Sequence, residues 1–161
     1  MTRLGREELN VELNKQLCSR AMKWAEEKIK GNITHELNRL FDYVLASRSA
    51  EPNGSFGLVV ERPTAANIPK FRRLYVCFGA LKEEFKRYCR SVIGVDGCFL
   101  KGSLKKEILS VVGKDSNNQI FPIAWAYVEV ENRESWSWFL NHLQDDLNLA
   151  SGDNLTLLSD M

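Results

Sequence analysis

Asp96 is set where a charge needs a reason. It stands inside "VIGVDGCFLKG", residues 92–102, an apolar run with glycines at 94 and 97 that closes on Lys101 and a further glycine. Taking an unpartnered carboxylate out of water costs several kcal/mol, so Asp96 either reaches water or serves something bound there. A second aspartate, Asp160, ends another apolar run, "NLTLLSD". Two aspartates at one height on adjacent strands suit Mg²⁺, a hard cation that takes one or two protein carboxylates and keeps waters and substrate phosphates for its other positions. Two such ions about 4 Å apart activate a water or a 3′-hydroxyl and stabilise the leaving oxygen of a phosphodiester displacement. Glycines flanking Asp96 would let a nucleic-acid backbone approach closely. An isolated aspartate at a strand end is more often a turn or capping residue, so the pairing depends on the elements that carry it.

Those elements are legible from residue 91 onward. "SVIGVDGCFL" reads as a strand and "KGSLKK" as a turn. "EILSVVG" is a second strand, "KDSNNQ" a strong turn signal, and "IFPIAWAYVEV" a third strand with Pro122 near its start, where a missing donor is tolerable. In "ENRESWSWFLNHLQDDL" the period becomes helical, with Trp136, Phe139 or Leu140, Leu143 and Leu147 on one face, Asn132 as N-cap and Ser135 bonding back to the first turn. "ASGD" breaks that helix and "NLTLLSDM" begins a fourth strand. Short connections make the first three strands an antiparallel meander. The helix then supplies a right-handed crossover that lays the fourth strand parallel to the first. The order β-β-β-α-β thus makes Asp96 and Asp160 neighbours. Glu129 and Glu131 read as an exposed strand end, and Trp125, Trp136 and Trp138 as core or sheet-facing residues.

The region before it reads as mainly helical. Leu9, Leu13, Leu17, Ala21, Trp24 or Ala25, and Ile29 recur at helical spacing, "GN" at 31–32 stops that helix, and Ile33 to Leu45 make a second. "SAEPNGS" is a turn by composition, "FGLVVE" a short strand, and "RPTAANIPKF" a loop. Over 71–90, "LYVCF" has strand propensity, but Leu74, Phe78, Leu81, Phe85 and Tyr88 repeat at helical spacing, and a helix is the expectation. Its basic residues, Arg72, Arg73, Lys82, Lys86, Arg87 and Arg90, form a face that is either solvated or set to meet phosphates. Residues 1–90 hold 17 Lys and Arg against 11 Asp and Glu; residues 91–161 hold 5 against 10. The halves therefore carry +6 and −5, consistent with two ordinary surfaces or with a basic region for phosphates beside an acidic one for metal. No apolar stretch is long enough to span a bilayer, and the start lacks the apolar core of a signal peptide. Four cysteines without Cys-x-x-Cys spacing and two distant histidines argue against zinc and for reduced thiols.

The ordered set "DGCFLKG", "NNQIFPIAWA" and "VENRESWSWFL", followed by "LTLLSD", resembles the transposase domain of plant Mutator-like elements, the MULE group of DDE transposases. The likeness is close over 91–160 and looser through "FRRLYVCFGALKEEFKRYCR". It implies an α/β (α+β) chain: a partial ribonuclease H-like fold over 91–161, preceded by a mainly helical region, 1–90. Asp96 matches the first member of the family's acidic triad and Asp160 the second, both as catalytic residues and ligands of Mg²⁺ or Mn²⁺. The family's third member, a downstream glutamate, has no counterpart in these 161 residues. That implies a truncated, transposase-derived protein, weak or lacking in metal binding and inactive alone, or a domesticated DNA-binding regulator. DNA is the implied partner, the nucleus the implied location, and self-association stays open. Lys101, Arg72, Arg73, Lys86, Arg87 and Arg90 are the candidate nucleic-acid contacts.

Overall fold

In the computed structural model, the described residues are 14–30, 33–62, 64, 70–101, 106–149 and 154–160. Outside them lie the expected helical residues 9 and 13, the "GN" stop, most of the "RPTAANIPKF" loop, the "GSLK" part of the first turn and the "ASGD" break. The chain divides into two compact units, Met1–Leu37 and Asn38–Met161. Helix α1, Lys15–Lys30, lies in the first. Helix α2, Ile33–Ala50, crosses the division.

The second unit is a six-stranded mixed sheet with helices on its faces. Its strands are β1 (Ser55–Glu61), β2 (Lys70–Cys77), β3 (Cys89–Phe99), β4 (Glu107–Asp115), β5 (Ile120–Val128) and β6 (Thr156–Ser159), in the spatial order β1-β2-β5-β4-β3-β6. Helix α3, Gly79–Tyr88, and helix α4, Arg133–Leu147, complete it. The meander β3-β4-β5 is antiparallel, and β6 returns parallel to β3 after α4, as the spacing predicts. Both hairpins and crossover follow from connection length: a short turn can only fold the chain back antiparallel, whereas a helix can carry it to a parallel start.

One expectation is corrected. Residues 71–90 are not one helix: β2 runs to Cys77, and α3 starts only at Gly79. In β2, Tyr75 and Cys77 point into the cluster under α3 and α4, while Leu74 and Val76 enter a second cluster with Val44 of α2 and Phe56 of β1. A run apolar on both sides is a strand covered on both faces. The four-three spacing that suggests a helix is genuine only from Leu81 on; Leu74 and Phe78 belong to the second cluster and Phe85 to the first. β1 and β2 consequently hydrogen-bond into the same sheet as the meander.

The larger core lies between the sheet and α3 and α4. Phe139 and Leu143, four residues apart on α4, are fully buried against Ile93, Leu109, Val111 and Ile123. Each such side chain contributes about 1.5–3 kcal/mol of transfer free energy. A methyl on Gly113 would lie 2.9 Å from the Phe85 ring, so glycine there lets α3 settle on β4. α4 begins as read: Asn132 Oδ1 accepts from the Ser135 amide at 2.8 Å. It ends on Asn148 in the left-handed conformation, φ 56°, which asparagine tolerates. Among the described residues the cysteines are free, and no helix is long and apolar enough to cross a membrane.

Candidate functional site

Asp96 lies near the end of β3, between buried Val95 and the half-buried Gly97. Strand alternation turns Val95 and Gly97 toward α4 and Asp96 to the opposite face. There it pairs across the ladder with Ser110 of β4, whose Oγ donates to the Asp96 carbonyl at 3.3 Å. β6 is the outer strand on the other side. Its register with β3 runs from Val92↔Thr156 to Val95↔Ser159. Continued by one residue, that register would set Asp160, which lies just past the end of β6, level with Asp96. Both aspartates are exposed, and among the described residues neither carboxylate has a hydrogen bond or ion pair.

Behind this end of the sheet, the corner from β5 into α4 is stitched at nearly every residue. Glu129 binds Arg72 Nε at 2.6 Å and Arg73 Nε at 3.1 Å. Ser135 Oγ donates to the Val130 carbonyl at 2.8 Å. The Glu131 amide donates to the carboxylate of buried Glu107, and Glu131 Oε1 accepts from the Trp136 indole at 3.0 Å. Glu134 Oε1 accepts from Arg73 Nη2 at 2.7 Å. Burial pushes the Glu129 carboxyl upward, but its own backbone amide and the two arginines outweigh this and hold it below the ordinary value.

The predicted basic residues separate into two groups. Arg73 is only 7% exposed, paired with two carboxylates and stacked over Trp138 at 5.6 Å. Arg72 is shared between Glu61 and Glu129. Both guanidiniums brace the corner. Lys86, Arg87 and Arg90 are exposed at the end of α3 and the start of β3; Arg87 has Glu83 at 3.8 Å. Six residues of strand set Arg90 about 20 Å from Asp96, so the fold does not bring this group to the aspartates. Lys101 is exposed just beyond the Asp96 end of β3.

Residues 92–160 match the family model of the MULE transposase domain. That match covers less than half of the chain and makes this part similar to the MULE transposase domain. It begins at the third residue before Val95 and ends on Asp160, so it spans both aspartates, the meander, α4 and β6. No curated protein and no solved structure matches the chain.

The donor set at the paired strand ends is oxygen only, and two carboxylates are what Mg²⁺ or Mn²⁺ ordinarily takes from a protein. Among the described residues, no group of three or more His, Cys, Asp or Glu could hold a metal ion. Of the two glutamates read as an exposed strand end, Glu131 is exposed and Glu129 half-buried, while Glu107 opposite them is buried.

A second carboxylate centre was missed. At the far end of α4, Asp146 accepts from Ser55 Oγ at 2.6 Å, Tyr75 OH at 2.7 Å and Lys82 Nζ at 2.8 Å. Burial opposes its charge, yet these donors hold its carboxyl below the ordinary carboxylate value. Burial first, then Asp146, pushes the Cys77 thiol up to about 12, so it stays protonated at neutral pH.

Proposed function

We propose that the MULE-like part of this chain is the acidic end of a ribonuclease H-like sheet of the DDE type, with Asp96 and Asp160 as ligands of Mg²⁺ or Mn²⁺, acting on DNA in the nucleus. What supports the reading is the parallel β3–β6 register, whose continuation by one residue would set Asp96 and Asp160 level; both are exposed and bond to nothing among the described residues. When bound, the cations would activate the attacking oxygen and stabilise the leaving one in strand cleavage and joining. The chain's own residues supply two fixed carboxylates, a solvent-facing approach over Gly94 and Asp96, and a braced backbone behind them. Since the described residues offer no third carboxylate beside these two, cleavage by this chain alone is expected to be weak or absent. Purified protein incubated with supercoiled DNA and Mg²⁺ or Mn²⁺ tests this. Robust nicking abolished by Asp96→Ala would overturn the expectation of inactivity, whereas failure of Mn²⁺ to perturb Asp96 and Asp160 would sink the cation site itself.

A second reading, a non-catalytic DNA-binding protein descended from transposases, draws on the exposed Lys86, Arg87 and Arg90. Its affinity for duplex DNA should fall steeply with salt; no binding even at low salt would eliminate it.

A further inference from the structure

We propose that Glu131 is a positioning residue for Asp96, holding the end of β3 through the bare Cα of Gly97. The inference rests on the reading of Asp96 and Asp160 as a cation-binding pair. A methyl group at residue 97 would lie 2.5 Å from Glu131 Cδ and 2.7 Å from its Oε1, too close to stand, so the carboxylate end of the exposed Glu131 side chain would have to move. The Glu131 carboxylate therefore occupies the space a side chain at 97 would need, on the face of β3 opposite Asp96.

Glu131 is itself held from both sides. Its amide is tied to the carboxylate of buried Glu107, which opens β4 directly opposite Phe99. Its Oε1 is tied to the Trp136 indole in the first turn of α4. On either side, Glu129 and Glu134 are clamped by Arg72 and Arg73. β4 thus holds the backbone of residue 131 and α4 its carboxylate, and that carboxylate bears on the residue next to Asp96. Without it, the last turn of pleat in β3 has only the ladder to β4 on this level, because the parallel pairing to β6 stops at Val95. Groups that orient a metal-binding carboxylate typically matter by a factor of ten or more in metal affinity.

The test uses the full chain labelled with ¹⁵N and titrated with Mn²⁺, reading paramagnetic broadening of the Asp96 and Asp160 amides and the position of the Trp136 indole resonance. In Glu131→Ala the Mn²⁺ needed for half-maximal broadening should rise about tenfold or more. Glu131→Gln keeps the acceptor and the seat on Gly97 and should restore most of the affinity. Gly97→Ala should displace the indole resonance, as Glu131→Ala does, and weaken Mn²⁺ to a similar extent. Should Gly97→Ala fold poorly, the pair Gly97→Ala with Glu131→Ala removes the clash; it should recover the melting temperature but not the Mn²⁺ response. A Glu131→Ala chain with wild-type Mn²⁺ affinity would overturn the inference, as would Gly97→Ala with an unmoved indole. If the unaltered chain shows no broadening at all, the cation-site reading fails on its own account. The hold on β3 is then judged by hydrogen exchange at residues 96–98, faster in Glu131→Ala if it exists and unchanged if it does not.

Discussion

At the end of α4, Asp146 is enclosed by Ser55, Tyr75 and Lys82 from β1, β2 and α3, with side-chain exposure of 9% for the acid and 11% for the lysine. At the other end of the same sheet, Asp96 and Asp160 face solvent on adjacent strands and bond to nothing among the described residues. Identical side chains are used in opposite ways. A buried carboxylate survives because every lone pair that matters has a donor, and the cluster locks four elements together. A carboxylate left open keeps its lone pairs for a ligand. The difference is one of partners, and substitutions at each centre can show whether it is real.

The largest effect is expected at the closed centre. Asp146→Asn leaves the Lys82 ammonium buried without its counter-charge, which typically destabilises by about 3–5 kcal/mol; chemical unfolding at pH 7 measures it. The pH dependence has a definite sign. The folded-state value of Asp146 lies below its unfolded value of 3.8, so its stabilisation is fully present above that value. It is lost as pH falls through the folded-state value. The gap between wild type and Asp146→Asn should therefore narrow in acid below about pH 4. A gap independent of pH would mean that Asp146 matters for packing and not for charge.

Next comes the brace. Arg73→Met removes the partner of Glu129 and Glu134 and the stacking on Trp138, while keeping an apolar stem of similar length. Glu134 is largely exposed and rehydrates, so the loss is expected at about 1.5–3 kcal/mol, the range for hydrogen bonds to a charged group. Little or no loss would place Arg73 with the solvated basic residues and return it to the candidate DNA-binding set. Lys86→Ala and Arg87→Ala should show the reverse pattern: unchanged unfolding, but weaker DNA binding. Their salt slope should also be shallower, by about one unit for each phosphate no longer neutralised.

How much of this was legible depends on whether an element's signal is local. The meander, the crossover and α4 with its Asn132 cap were readable because turn chemistry, connection length and helical period are written in neighbouring residues. β2 was misread because its burial on both faces is supplied by α2, α3 and α4, none of which shows in "LYVCF" itself. The parallel β3–β6 pairing that carries Asp96 and leads to Asp160 follows from connection lengths alone. The Asp146 cluster does not, since Ser55, Tyr75, Lys82 and Asp146 come from four elements with no shared motif. Arg73 illustrates the same limit: a basic residue among basic residues reads as surface until its two glutamates, 56 and 61 residues away, are brought to it.

The smallest stability effect, and the one on which the comparison turns, belongs to the open pair. Asp96→Asn and Asp160→Asn remove exposed carboxylates that bond to no described side chain, so unfolding without metal should shift by no more than about 0.5 kcal/mol. With Mn²⁺ present the prediction differs. A cation that binds only the folded chain stabilises it by about 1.4 kcal/mol at ten times its Kd, and either substitution should abolish most of that increment. Asp146→Asn should keep it, because its cluster has no open lone pairs to offer. If all three variants lose the Mn²⁺ increment alike, the stabilisation comes from general screening of a negatively charged surface. If only the Asp96 and Asp160 variants lose it, ligand binding belongs to the open pair.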